Sequence, residues 1–170
     1  MATLPTTVMS TSAGFQPAFP HVPATDRHCD AFAAIAIVAL TTLEDVFKKA
    51  EELGLPKSGP YYPWIDGDFV AKLAAKFGWV AGNWVECSST QLPADLCIAM
   101  VDYDTVWETG RYVIVHKAKA SHDGKTIIYA MDPSASDPKK QIRVDLAVLK
   151  PAWAIPLHVM GKPTTGAAKK

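Results

Sequence analysis

The sequence has no excess of either charge, since 17 Lys and Arg stand against 17 Asp and Glu among 170 residues and the formal net charge is zero. Proteins that hold nucleic acid or an anionic membrane through their overall charge carry a basic excess. We therefore expect neither nucleic acid nor a membrane as a partner. No apolar run reaches the roughly 18 residues of a membrane-spanning helix, and the N-terminus lacks the basic and apolar regions of a secretory signal. These absences predict a cytoplasmic protein, or one exported without a cleaved signal peptide.

Cysteine is scarce as well, with Cys29, Cys87 and Cys97 in the whole chain. An odd number of cysteines without the close spacing of metal ligands disfavours both a disulfide framework and a zinc site. A reducing compartment suits such a chain best. We expect no metal and no cofactor.

The chain divides into three segments. Residues 1–25 are rich in Thr, Ser, Ala and Pro and show no periodicity. We interpret them as an extended N-terminal arm that is either disordered or draped over a partner, and such an arm can join copies of the chain into an oligomer or assembly. Residues 26–160 form one domain, long enough to bury a sizeable core, and residues 161–170 form a flexible tail.

The first half of the domain is predicted to be helical. Residues 28–40 carry Ala, Ile, Val and Phe on every face, as a central helix covered by other layers requires, and Asp26 is placed to cap it. A second helix follows over 41–52, opened by Thr and acidic residues. Asp66 or Asp68 then caps a third helix.

The second half is predicted to form strands. Residues 96–101 are a short apolar run typical of a buried strand, and residues 111–132 predict a β-hairpin around the Asp123-Gly124 turn. A short helix over 145–149 and a closing strand over 155–160 follow. Helices first and an antiparallel sheet afterwards predict an α+β fold, in which a helical layer with a central cysteine-bearing helix packs on the sheet.

Cys29 opens the predicted central helix. A thiol at a helix N-terminus has a lowered pKa, because the unpaired N–H groups and the helix dipole stabilise the thiolate. Cys29 is therefore a candidate nucleophile, and its neighbours His28 and Asp30 favour partial exposure. The alternative is that Cys29 is a small buried hydrophobic residue, since free cysteine is among the most buried residue types.

The order of the elements resembles the papain-like fold, and within it the C39-like, bacteriocin-processing cysteine peptidases. A cysteine opens a helix of small residues, and two more helices lead to Phe77-Gly78-Trp79. An apolar strand then precedes Gly110-Arg-Tyr-Val-Ile-Val115, and the hairpin ends in Asp132-Pro133. The similarity covers about residues 26–160. It implies a cysteine hydrolase that cleaves a peptide or amide bond through a Cys-His-Asp arrangement.

The sequence departs from the family pattern at three positions. Arg111 stands where the family has its catalytic histidine, and an arginine cannot act as a general base because it stays protonated. Pro23 stands where the family has its oxyanion glutamine, six residues before Cys29, and Asp30 replaces the usual glycine after the cysteine. Only Cys29 and Asp132 match the family's catalytic positions.

His116 is the candidate general base, because its separation from Asp132 along the chain is close to that of the family's His-to-Asp pair. Strand alternation opposes this role, since Arg111 lies on one face of the predicted strand and His116 on the other. Asp132 before Pro133 can orient a base, and it can equally begin a turn. The predicted catalytic set is therefore Cys29, His116 and Asp132.

Aromatic and charged side chains supply the candidate binding residues. Tyr61, Tyr62 and Trp64 lie in a loop between the second and third predicted helices. Aromatic side chains are enriched in grooves and interfaces, so we expect these three to contact a peptide or protein partner. Arg111 is a candidate charge anchor that pairs with Asp132 in place of a catalytic histidine.

Two functions follow from these residues. The first is a cysteine peptidase in which Cys29 attacks a peptide or amide carbonyl, His116 carries the proton and Asp132 orients the imidazole ring. The second is a catalytically inactive papain-like domain that binds a partner or serves in an assembly. Contact between Arg111 and Asp132, with His116 directed elsewhere, indicates the second.

Overall fold

The computed structural model describes residues 1–26, 28–61 and 65–161. Its helices are α1 (Asp30–Ala39), α2 (Leu43–Glu52), α3 (Gly67–Ala75) and α4 (Pro138–Gln141), and a 3₁₀ helix spans Leu146–Leu149. The helices predicted over 28–40 and 41–52 are present, and each starts two residues later than predicted. None of the helices in the described ranges is long and apolar enough to cross a membrane.

The strands of the described residues are β1 (Thr7–Val8), β2 (Ser10–Thr11), β3 (Gly14–Phe15), β4 (Trp79–Ala81), β5 (Val85–Glu86), β6 (Leu96–Asp104), β7 (Thr109–Ala120), β8 (Thr126–Met131), β9 (Ile142–Arg143) and β10 (Trp153–Val159). Eight of them form one sheet, in the order β4-β10-β6-β7-β8-β9, with β1 paired to β7 and β5 paired to β10. Apart from β1, which runs parallel to β7, the paired strands are antiparallel. The predicted hairpin is β7 and β8, and the predicted closing strand is β10. The α+β arrangement is therefore confirmed.

Helix α1 lies at the centre of the fold and packs on one face of the sheet. Its residues from Asp30 to Val38 are all buried, which the apolar side chains around its whole circumference allow. Ile98 of β6 and Ile114 of β7 join the same apolar cluster. Full burial of one such side chain stabilises the fold by about 1.5–3 kcal/mol, so this apolar packing holds α1 against the sheet.

The opposite face of the sheet has its own apolar cover. Val113 and Val115 point to this face because side chains alternate along β7, and they cluster with Leu146 and Leu149 of the 3₁₀ helix. The short helix predicted over 145–149 is this 3₁₀ helix. The central strands are therefore covered on both faces.

The starts of α2 and α3 follow the sequence signals. The hydroxyl of Thr42 accepts the backbone N–H of Asp45 at 3.1 Å, and the Asp66 carboxylate accepts the backbone N–H of Phe69 at 2.7 Å. Each side chain satisfies one of the N–H groups that a helix leaves unpaired in its first turn. Of the two caps proposed for the third helix, Asp66 is the one used.

The start of α1 differs from the prediction, because Asp26 does not cap it. The N-cap residue is Cys29, which makes no side-chain capping hydrogen bond. The Asp26 carboxylate instead accepts the backbone N–H of His28 at 2.7 Å. A capping side chain reaches N–H groups only two or three residues ahead, and from Asp26 these lie in the turn before the helix.

The prediction for the N-terminal segment also needs correcting. Residues 1–25 are neither disordered nor free to drape over a partner, because they pack on the sheet of their own chain. Strand β1 pairs with Lys119 and Ala120 of β7, and Phe19 is buried in the main core. The backbone N–H of Ala24 donates to the carbonyl of Pro133 at 2.8 Å. The extended conformation of the segment agrees with its composition. The segment is not free in solution, however, because β1 pairs with β7 beyond the end of β6.

Candidate functional site

Cys29 lies at the N-terminus of α1 but is hardly accessible, with 2% of its surface exposed. The Thr25 hydroxyl donates to its Sγ at 3.5 Å. Burial raises the pKa of the Cys29 thiol, and this effect outweighs the hydrogen bond from Thr25, which acts in the opposite direction. The helix terminus therefore does not produce the thiolate that the sequence position alone suggested.

Asp30 joins the first turn of α1 to the sheet. One carboxylate oxygen accepts the backbone N–H of Tyr112 at 2.9 Å, and the other accepts the backbone N–H of Ala31 at 3.0 Å. Burial raises the pKa of Asp30 to about 6, against the lowering effect of these two N–H groups and of the Arg111 charge. The residue that replaces the family's glycine is thus a buried structural carboxylate.

Arg111 occupies the position that the sequence motifs assign to a catalytic histidine, and it pairs with two carboxylates. Its Nη1 donates to Oδ2 of Asp132. Its Nε and Nη2 both donate to Oδ2 of Asp102, at 3.0 and 2.7 Å. A guanidinium held in this way is a fixed positive charge and cannot accept a proton from a thiol.

Asp132 follows the end of β8 and joins several parts of the fold. Besides pairing with Arg111, its Oδ1 accepts the backbone N–H of Ser134 at 2.9 Å. Its carbonyl accepts Nε2–H of His21, also at 2.9 Å. Asp132 therefore begins a turn and anchors the N-terminal segment, and its second carboxylate oxygen, Oδ2, pairs with Arg111 instead of an imidazole.

His116 lies in the core on the opposite face of β7 from Arg111, as strand alternation predicted. Its Nε2 donates to the carbonyl of Pro5 at 2.8 Å, and its Nδ1 accepts the hydroxyl of Tyr129 at 2.9 Å. Burial lowers the pKa of His116, which favours the neutral ring. Both ring nitrogens are thus engaged, and neither of their partners is Cys29 or Asp132.

The predicted catalytic residues are therefore not brought together as a hydrogen-bonded set. Cys29 contacts Thr25, Asp132 contacts Arg111, and His116 contacts Pro5 and Tyr129. Among the described residues, no group of His, Cys, Asp and Glu has an arrangement that could hold a metal ion.

Of the three aromatic residues predicted to bind a partner, the structure describes Tyr61. Tyr61 packs edge-on against Phe32 and tilted against Phe47, with ring centroids 5.7 and 5.5 Å apart. Its hydroxyl donates to the carbonyl of Lys57 at 3.3 Å. Tyr61 thus covers the end of the helical layer, and Tyr62 and Trp64 lie outside the described residues.

A groove of about 1050 Å³ opens beside Arg111, between the start of α1 and the ends of β6 and β7. The β6–β7 connection, residues 105–108 between Asp104 and Thr109, forms one of its walls. Gly110 permits the close approach of the two strands here, because a Cβ at this position would lie 2.4 Å from the carbonyl oxygen of Val101. The groove is lined by carboxylates and aromatic rings, among them Asp30, Trp84, Asp102, Asp104, Trp107, Glu108, Tyr112 and Trp153.

The sequence motifs do not point to the residues at and around the β6–β7 connection. A signal was present, since Asp102, Asp104 and Glu108 flank Trp107 in the residues just before the Gly110-Arg111 motif. Acidic and aromatic side chains beside a candidate site are a reason to expect a binding surface.

No protein-family profile and no curated protein sequence matches the chain. Among solved structures, its fold is similar to that of a double glycine motif protease from an AMS/PCAT transporter, whose crystal structure was determined in complex with the leader peptide. The TM-score is 0.50, the sequence identity is 14%, and the match covers 83% of this chain and 91% of that one. The similarity supports the papain-like, C39-like fold suggested by the sequence motifs, and at this identity it concerns the fold alone.

Proposed function

We propose that this protein is a papain-like domain that binds a peptide or protein partner without hydrolysing it. The observation that carries the proposal is the contact between Arg111 and Asp132. In the family's pattern this aspartate orients a histidine, and here it neutralises a guanidinium. A cysteine hydrolase needs a base that can take the thiol proton, and Arg111 cannot supply one.

The state of the thiol supports the same conclusion. Cys29 is buried and its pKa is raised by burial. The pattern's oxyanion glutamine is replaced by Pro23, which has neither an N–H nor an amide side chain to donate. Loss of one oxyanion donor costs other enzymes about 10²–10³ in rate, so the raised pKa of the thiol and the lost donor both argue against hydrolysis.

Binding is supported by the groove that remains beside Arg111. Its volume of about 1050 Å³ is at the upper end of the range of ligand pockets, and it is open along one side, as an extended segment requires. The peptidase of similar fold was crystallised with a leader peptide. A peptide partner for this chain therefore suits both the shape of the groove and the similarity of fold.

Cysteine peptidase activity is the second candidate. It is favoured by one observation, namely that Cys29 is the N-cap residue of the central helix in a fold similar to that of a peptidase. On this hypothesis a movement of the β7 side chains must bring His116 or another base to the thiol. The static contacts of His116 give no support to such a movement.

A peptide library separates the two candidates. The purified protein and its Cys29→Ala variant are incubated with peptides derived from a whole proteome, and new termini are identified by mass spectrometry. We expect the two proteins to give the same peptide profile, while immobilised protein retains a subset of uncleaved peptides. Cleavage that requires Cys29 would overturn the proposal and establish the peptidase.

A further inference from the structure

The lining of the groove points to the chemistry of its ligand. We propose that the groove beside Arg111 binds a peptide segment that carries arginine side chains. This inference rests on the peptide-binding function proposed above and specifies the peptide that the domain selects. It is carried by the charge balance of the groove, by its aromatic walls and by the fixed shape of the β6–β7 connection.

The charge of the lining is negative. Asp30, Asp102, Asp104 and Glu108 line the groove, together with His28 and Arg111. Arg111 is already neutralised by Asp102 and Asp132. Within the part of the chain that the structure describes, no lysine or arginine forms an ion pair with Asp104 or Glu108. Both carboxylates are exposed and can accept a cation from a ligand.

The walls of the groove offer flat aromatic surfaces. Trp107 is 78% exposed and Trp153 is 36% exposed. Trp84 packs against Tyr112 with ring centroids 5.9 Å apart, so the position of the Trp84 ring in the lining is supported by a buried side chain. Large exposed aromatic side chains in a concave surface mark interaction sites, and a nearby Val106, 81% exposed, extends the apolar surface beside Trp107.

The connection that presents these groups is held in shape. Oδ1 of Asp104 accepts the backbone N–H groups of Val106 and Trp107, at 2.7 and 3.1 Å. This leaves the second carboxylate oxygen of Asp104 free of these bonds. A surface that is ordered before binding loses less conformational entropy when the ligand binds. Trp107 and Asp104 are therefore preorganised for binding.

Arginine matches this combination better than lysine does. A guanidinium stacks on an aromatic face and donates through a planar fork to a carboxylate at the same time. Asp104 and Trp107 lie on one turn and supply both partners, the carboxylate and the aromatic face. An acidic segment would be repelled by Asp104 and Glu108, and a purely apolar segment would leave both carboxylates desolvated without a partner.

The proposal is tested with the full-length protein and three labelled peptides. Fluorescence anisotropy measures binding of Gly-Ser-Arg-Leu-Arg-Ser-Gly and of the same peptide with both arginines replaced by glutamine or by glutamate. We expect the arginine peptide to bind most tightly and its affinity to fall as salt is added, because exposed charge pairs are screened. Equal affinities for the three peptides would overturn the proposal.

Two double variants place the binding in the groove. Asp104→Asn with Glu108→Gln should weaken binding of the arginine peptide about tenfold, since two exposed charge contacts are lost. Asparagine keeps an acceptor oxygen for the N–H groups of the turn, so the fold is preserved. The matched control is Glu51→Gln with Asp123→Asn, which removes the same charge from exposed positions on α2 and in the β7–β8 turn. An equal loss in the control would contradict binding in the groove.

The same samples distinguish this inference from the function on which it rests. If the arginine peptide binds through Asp104 and Glu108 but is cut in a Cys29-dependent way, the groove assignment stands and the non-hydrolytic function is wrong. If nothing is cut and the three peptides bind alike, the function stands and the arginine assignment is wrong. Concentration-dependent self-association that Asp104→Asn with Glu108→Gln abolishes would make a second copy of the chain the occupant, and would also overturn the proposal.

Discussion

The Asp30 carboxylate accepts the backbone N–H of Tyr112 across 2.9 Å, and so ties the cysteine-bearing helix directly to the strand that carries Arg111. The helix and the strand are therefore held in one orientation by a buried polar contact. An unpartnered buried carboxylate would be costly, but Asp30 also receives the N–H of Ala31. This contact determines how the start of α1 faces the groove.

The first prediction concerns the contribution of Asp30 to the pH dependence of the free energy of unfolding. Burial raises its pKa from an ordinary 3.8 to about 6, so the folded protein binds the proton more tightly than the unfolded chain does. The stabilisation from Asp30 is therefore complete below its unfolded pKa and is lost as the pH rises through about 6. The lost stability is on the order of 3 kcal/mol.

Asp30→Asn removes this titration and keeps a side chain of the same shape. We expect the free energy of unfolding of the variant, relative to that of the wild type, to increase by about 2.5 kcal/mol between about pH 4 and about pH 7. Urea unfolding at a series of pH values measures the difference. A difference that stays constant over this interval would show that Asp30 is not a buried titrating carboxylate.

The second prediction concerns the pair formed by Arg111 and Asp132. The Asp132 side chain is 7% exposed and that of Arg111 is 36% exposed, so removing the guanidinium leaves a carboxylate largely buried without its partner. We expect Arg111→Ala and Asp132→Asn each to destabilise the protein, and the double variant to be more stable than the sum of the two effects implies. The coupling energy should be about 1–2 kcal/mol, because solvent screens the exposed part of the pair.

Asp132→Asn is a suitable partner in this cycle, because an amide oxygen can still accept the backbone N–H of Ser134. Chemical denaturation of the four proteins gives the coupling energy. Purely additive effects would mean that Arg111 and Asp132 do not interact in solution, and the proposal for the site would lose its main support.

The third prediction concerns His116. Its ring is hydrogen-bonded to Pro5 and Tyr129 and packs edge-on against Phe19, with ring centroids 5.3 Å apart. His116→Ala should therefore lower the free energy of unfolding by about 2–4 kcal/mol, through the cavity and the lost hydrogen bonds. His122→Ala, in the exposed β7–β8 turn, is the control and should change it by less than about 0.5 kcal/mol.

Reactivity of Cys29 separates a structural His116 from a catalytic one. We expect the rate of alkylation of Cys29 to be unchanged or higher in His116→Ala, since a loosened core exposes the thiol. A rate that falls sharply while the variant remains folded would indicate that His116 activates the thiol.

The sequence predicts the parts of this fold that depend on local patterns. The apolar circumference of residues 28–40 predicts a buried helix, and the Asp123-Gly124 turn predicts the hairpin that brings Arg111 near Asp132. The alternation of side chains along β7 also predicts that His116 and Arg111 lie on opposite faces of the strand. Each of these inferences requires only the period of a helix or a strand and a turn signal.

The parts that the sequence does not predict depend on distant contacts. The burial of Cys29 and its raised pKa depend on the layers that cover α1, which no local pattern specifies. Strand β1 has only two residues, too few to show alternation, and its partner lies more than a hundred residues away on β7. The acidic groove forms only when the β6–β7 connection and Trp84 are brought together by the complete fold.

The pH dependence of Cys29 alkylation tests the central claim most directly. Iodoacetamide labelling of Cys29, Cys87 and Cys97 is followed by peptide mass spectrometry between about pH 5 and about pH 9, because the thiolate is the reacting form. The account predicts that Cys29 reacts more slowly than the half-buried Cys87 and that its rate is still rising at the highest pH. A Cys29 rate that exceeds that of Cys87 and is already constant from about pH 6 would reveal a thiolate stabilised by a nearby base, and would contradict a site in which Arg111 has replaced the catalytic histidine.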